Sequence, residues 1–172
     1  MAFDQDALSQ SLHRLGKSLK RVRRSAEPED VHQLRTRSRR LEAAIHALGL
    51  EDDPSVRRLL KIVTPLRRKA GKVRDMDVLL GLASRLAATG DDDALVQLLE
   101  GLAERRRKAA RKLQSSVAEE IKPARRLLKR GHPLFRADAA AFAEQQSKAL
   151  SAALCLSVEL ESWPRLTRAN LH

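Results

Sequence analysis

Apolar residues recur at helical spacing through most of the chain, and signals for strands are nearly absent. Leu8, Leu12, Leu15, Leu19 and Val22 stand at i, i+4, i+7, i+11 and i+14. They form one stripe of a first helix, with Arg14, Lys17, Arg21 and Arg24 behind it. "SAEPED" ends that helix, and Pro28 suits the first turn of the next. Val31, Leu34, Leu41, Ile45 and Leu48 then share a face, and Gly49 is the expected C-terminal cap. "EDDPSV" starts a third helix by the same acidic and proline logic, with Leu59, Leu60, Val63 and Leu66 on its buried side. Thr64-Pro65 either kinks one helix or caps a new one, and the favoured reading is a new helix from Pro65 to about residue 88 with Gly71 tolerated inside it.

"ATGDDD" is the clearest stop, with Gly90 ending one helix and three aspartates opening another. A long helix follows from about residue 94 to 122, with Leu95, Leu99, Leu102, Ala109, Leu113 and Val117 facing inward. Pro123 is expected to open a short helix, "RGHPLF" to be a loop, and residues 137–162 to be helical, with a restart at Pro164. The expectation is an all-α protein of six to eight helices with short connections, packed as an antiparallel bundle. At 172 residues it is one domain, residues 1–172, long enough for a real core. With three Phe, one Trp and no Tyr, that core must be aliphatic.

Charge changes the picture. Lys and Arg number 34 against 22 Asp and Glu, a net charge of +12. A field of that sign attracts polyanions: nucleic acid, anionic lipid or phosphate polymers. The single Cys155 excludes an internal disulfide and reads as a small core residue. The N-terminus is acidic and polar, unlike a signal peptide, and no apolar run is long enough for a membrane span. The default expectation is a cytoplasmic protein without a membrane partner.

The positive charge is organised. On the second helix, with Val31 at zero and about 100° per residue, the apolar stripe centres near roughly −50°. His32, Arg35, Arg39, Glu42 and His46 fall between roughly +20° and +100°, one strip bordering the apolar face, whereas Arg37 and Arg40 lie elsewhere. Between residues 57 and 74 stand eight basic residues and no acid: Arg57, Arg58, Lys61, Arg67, Arg68, Lys69, Lys72 and Arg74. Arg57, Lys61 and Arg68 share a face, and Arg67 and Arg74 share one. Asp75 and Asp77 follow, with Asp75 expected to pair with Arg74 or Lys72. Arg106 projects into the apolar stripe between Leu102 and Leu113. It either pairs with an acid or lines an inward cavity of cations.

Catalysis has no candidate: the chain lacks a nucleophile motif, a Gly-rich phosphate loop and a carboxylate pair with a base. His32 and His46 are too far apart for an i, i+4 metal pair, so neither a metal nor another cofactor is expected. Asp75 and Asp77 could hold Mg²⁺, but no further carboxylates support such a site.

Two ordered motifs remain. "VHQLRTRSRRL" contains His32, Arg35, Arg39, Arg40 and Leu41; "LRRKAGKVRDMDVLL" contains Gly71, Arg74, Asp75, Asp77 and Val78. Together they resemble the signatures of the CHAD family, the conserved histidine α-helical domains. The resemblance implies two helical bundles related by a pseudo-two-fold and binding of inorganic polyphosphate along a basic central surface. It implies no catalysis by this domain, although relatives are joined to triphosphate-processing domains. On this basis His32, Arg35, Arg39, Arg40, Lys61, Arg67, Arg68, Arg74 and Arg106 are the expected polyphosphate ligands. The charge would border the core because the rim of a helical groove meets the phosphates. His32 would donate to phosphate when protonated or orient an arginine when neutral.

Two departures accompany the resemblance. Glu42 stands where the family often has another Arg, which would weaken anion binding locally. The family also carries a second His-x-x-Arg helix in its later half, whereas this sequence ends "ANLH", with His172 as the first residue of that motif. The expectation is an incomplete two-bundle architecture, in which either a homodimer partner supplies the missing cations or the site is incomplete. Association with polyphosphate granules is implied only by the family. The rival expectations are sequence-nonspecific nucleic-acid binding, an enzyme acting on phosphate polymers, and a helical scaffold with merely soluble basic faces.

Overall fold

The structure is a computed structural model and describes residues 5–87 and 93–134, together with residues 144, 147, 148 and 150–155. Four helices follow one another: α1 (Gln5–Arg24), α2 (Pro28–Ala47), α3 (Pro54–Ala87) and α4 (Asp93–Leu134). The described residues between 144 and 155 are helical too, and none of the described residues forms a strand. The Gly90 stop, the remainder of the expected helix over 137–162, Pro164 and His172 lie outside the described residues.

Each helix packs on the next, and α4 returns to α1, closing an antiparallel ring. Side-chain pairs fix the directions. Arg37 of α2 meets Arg14 and Ser18 of α1, Thr64 of α3 meets Glu42 of α2, and Arg106 of α4 meets Asp77 of α3. Leu128 of α4 reaches α1 at Gly16, where a Cβ would stand 3.5 Å from its Cδ1. A Cβ at position 16 would therefore make an ordinary van der Waals contact with Leu128.

The apolar stripes meet in a single core. Leu8, Leu12, Leu15, Leu19 and Val22 face Val31, Leu34, Leu41 and Ile45 across it. Val56, Leu59, Val63, Leu66, Ala70 and Val73 of α3 and Leu113, Val117, Ile121, Ala124 and Leu128 of α4 complete it. At about 1.5 Å per residue, the 20 residues of α1 and of α2 reach about 30 Å. The 34 of α3 and 42 of α4 reach about 50 and 60 Å, so this hairpin outruns the first. Its outer length leaves Val78, Leu79, Leu82, Leu86, Val96 and Leu98 exposed.

The caps follow local chemistry. Gly49 takes φ 59°, and its N–H donates to His46 O while that of Leu50 donates to Ile45 O. This left-handed turn satisfies the last carbonyls of α2, and a glycine adopts it without a Cβ clash. At the start of α3, Asp53 Oδ1 accepts from the N–H groups of Ser55 and Val56 at 2.7 and 2.9 Å. Asp53→Ala should cost about 1 kcal/mol of stability, measurable by urea denaturation.

The proline-based boundaries are corrected. α3 runs through Pro65 without a break, and α4 runs through Pro123. "RGHPLF" is not a loop over residues 130–134, which continue α4. Pro65 and Pro123 are both exposed, so the carbonyls that lose a donor can bond to water. Buried residues precede and follow each proline: Val63 and Leu66 in α3, Ile121 and Ala124 in α4. Packing on both sides outweighs the local penalty, and among the described residues the helices are correspondingly longer than expected.

Candidate functional site

The strip of α2 that borders its apolar face turns toward α3. Glu42 Oε1 accepts a hydrogen bond from Thr64 Oγ1 at 2.7 Å, and its Oε2 lies 2.7 Å from Arg67 Nε. Seven residues earlier, Arg35 crosses Gly71: a Cβ at Gly71 would sit 3.8 Å from Arg35 Nε. These contacts set an antiparallel register in which Glu42 lies beside Thr64 and Arg67, and Arg35 beside Gly71. Continuing it puts Arg39 opposite Arg67 and Arg68, and His32 opposite Arg74 and Asp75. Arg74 lies two turns from Arg67 on the α2-facing edge of α3. Lys61 and Arg68 are exposed on the outer lip of the same seam.

The charge along the seam is mostly uncompensated. Among the described residues, Arg35, Arg39, Lys61, Arg68 and Arg74 form neither a hydrogen bond nor an ion pair with another side chain. Arg67 differs, because its side chain is only 28% exposed and faces the Glu42 carboxylate. The Arg67 N–H is not aimed at an acceptor, so charge attraction rather than hydrogen-bond direction holds this pair. Glu42, expected simply to weaken a basic surface, clamps α2 to α3 and fixes one of its arginines. His46 sits at the far end of the strip and its Nδ1 lies 2.6 Å from Glu51 Oε1. The Glu51 carboxyl is held below the usual carboxylate range, first by a backbone hydrogen bond and then by His46.

Two expected ligands leave the seam. Arg106 takes the acid-pairing alternative: its Nε donates to Asp77 Oδ1 at 2.6 Å and its Nη2 to Ala26 O at 2.8 Å. It borders an open pocket with Arg24, Arg107 and Arg111, and it also ties α4 to α3 and to the α1–α2 turn. The reason is the near-complete burial of Asp77, whose side chain is 5% exposed and requires a cation. Arg40 lies on the opposite side of α2, in the groove shared with α1. Adjacent residues on a helix differ by about 100°, so Arg39 and Arg40 cannot serve one narrow seam. Asp75 is also corrected: it is exposed and makes no ion pair among the described residues, the paired carboxylate being Asp77.

Sequence reasoning missed the role of Arg37. Its Nη1 donates to Arg14 O at 2.9 Å and to the buried Ser18 Oγ at 2.8 Å. Its guanidinium is held below the ordinary arginine value, by burial first and then by Arg21, Arg14 and Arg40. The available signal was the basic repeat Arg14, Lys17 and Arg21, which reads as a solvated back face until α2 is packed beside it. Lys69, counted with the basic run, instead reaches α4 and donates to Ser116 Oγ.

The described residues contain no group of three or more His, Cys, Asp or Glu able to hold a metal ion, and no helix among them is long and apolar enough to cross a membrane. No curated protein matches the chain, and no solved structure does. The family model of the CHAD domain matches residues 6–172. Two motifs on neighbouring antiparallel helices, meeting where Arg35 crosses Gly71, thus belong to a match that spans essentially the whole sequence, and the chain is a member of the CHAD family.

Proposed function

We propose that this chain binds inorganic polyphosphate along the α2/α3 seam and catalyses no reaction on it. The observation that carries the reading is the close approach of Arg35 to Gly71, with uncompensated Arg39, Arg68, Arg74 and Lys61 along the same two helices. Membership of the CHAD family supports the choice of ligand. A linear phosphate polymer offers a charge at each unit and no bases to read. Arginine forks take phosphate oxygens bidentately, and cations on rigid helices lose little entropy on binding. His32, opposite Arg74, donates to phosphate when protonated and orients an arginine when neutral.

Sequence-nonspecific nucleic-acid binding is the second reading, favoured by the net charge of +12. Aromatic residues make up only 2% of the chain, so stacking platforms for unpaired bases are scarce. The test is competition between long-chain polyphosphate and duplex DNA at matched charge and salt. Polyphosphate should displace DNA, its affinity should fall steeply with salt, and its chain length should stay unchanged during incubation with Mg²⁺. Preferential retention of DNA would overturn the choice of ligand, and shortening of the polymer would overturn the non-catalytic reading.

A further inference from the structure

The groove between α1 and α2 is a separate concentration of charge. Arg14, Lys17 and Arg21 of α1 and Arg37 and Arg40 of α2 surround about 400 Å³, and no carboxylate lines it. Two carboxylates compensate at its edge: Asp30 Oδ1 lies 4.0 Å from Arg21 Nη1, at the limit of an ion pair, and Glu29 accepts from Gln33 of the lining at 2.6 Å and acts on Arg37 through space. Arg37 is anchored by Arg14 O and Ser18 Oγ, so it cannot swing away from its neighbours without losing both bonds. Among the described residues, Lys17 and Arg40 have no polar partner. Like charges gathered this closely repel one another, and an anion between them removes the repulsion.

We propose that this groove is a second anion site that takes phosphate groups of the same polymer. The proposal deepens the polyphosphate reading and rests on it for the identity of the ligand. The route between the sites is short. Arg39 borders the seam and Arg40 borders the groove, on either side of the outer face of α2. Thr36 and Ala43 occupy that face between them, and neither side chain is long enough to obstruct a chain crossing the helix. A helix with its side chains is about 10 Å across, a distance spanned by a few phosphate units. A long polymer would therefore straddle α2 and engage both sites, whereas a short one would occupy either site alone.

The test uses pyrophosphate and long-chain polyphosphate, followed by the NMR resonances of backbone amides and arginine side chains. Pyrophosphate should shift Gln33, Arg37 and Arg40 in the wild type and in Arg35→Ala/Arg39→Ala. Those shifts should vanish in Arg14→Ala/Lys17→Ala/Arg40→Ala, and the long polymer should bind that variant about tenfold more weakly. If this triple variant does not fold, Arg40→Glu is compared in its place, since the Arg40 side chain is exposed. Absence of the wild-type shifts, or their survival in the groove variants, would overturn the site. Long-chain binding with shifts confined to the seam would remove the second site and leave the polyphosphate reading intact. Pyrophosphate shifts in the groove without any long-chain binding would do the reverse.

Discussion

Arg106→Ala is expected to destabilise the protein by about 3 kcal/mol or more. The substitution leaves the Asp77 carboxylate, with its side chain 5% exposed, without the cation 2.6 Å from its Oδ1. Asp77 Oδ2 already has no hydrogen-bond partner, so no second donor stands ready to compensate. Ala26 O loses its donor as well, which loosens the α1–α2 turn. The loss arises mainly from the charge left behind. Replacing both partners with apolar residues, Asp77→Leu/Arg106→Leu, should therefore recover much of it. Urea denaturation of the wild type, both single variants and the double variant completes the cycle. A loss below about 1 kcal/mol for Arg106→Ala, or a double variant no better than that single one, would contradict the account.

Arg35→Ala/Arg39→Ala/Arg74→Ala should weaken long-chain polyphosphate binding by about 100-fold or more at moderate salt. Each lost arginine removes a solvent-accessible phosphate contact worth about 1 kcal/mol, and a factor of 100 corresponds to about 2.7 kcal/mol. The dependence of affinity on salt should flatten too, because fewer counterions are exchanged. Folding should be little affected, since none of the three side chains has an intramolecular polar partner among the described residues. Arg105→Ala/Lys122→Ala/Arg126→Ala removes the same charge from exposed positions of α4 and serves as the comparison. If the two variants lose affinity equally, net charge alone binds the polymer and the seam has no special role. Calorimetric titration at three salt concentrations provides both the affinity and the slope.

Much of this molecule was legible from residue order. The stripes Leu8–Val22 and Val31–Leu48 predict helices whose named residues are buried, and Gly49 and Pro28 mark ends that the structure has. The basic strip of α2 was legible as a strip because its angular position depends only on helical geometry. Punctuation was less informative. Pro65 and Pro123 signal breaks in an isolated helix, yet both lie on exposed surfaces of helices that are packed on either side.

Periodicity is a local property, and the sequence by itself determined the helices, their apolar faces and the side of α2 on which each cation lies. What those cations meet is decided by residues far away in the chain, so it required the tertiary structure. Arg35 meets Gly71, Arg67 meets Glu42, and Arg106 meets Asp77 only after the helices have packed. Packing also divided the basic residues by function. Arg67 and Arg106, beside carboxylates of α2 and α3, became struts of the bundle, whereas Arg35, Arg39 and Arg74 along the α2/α3 seam and Lys17 and Arg40 in the α1/α2 groove have no such partner among the described residues.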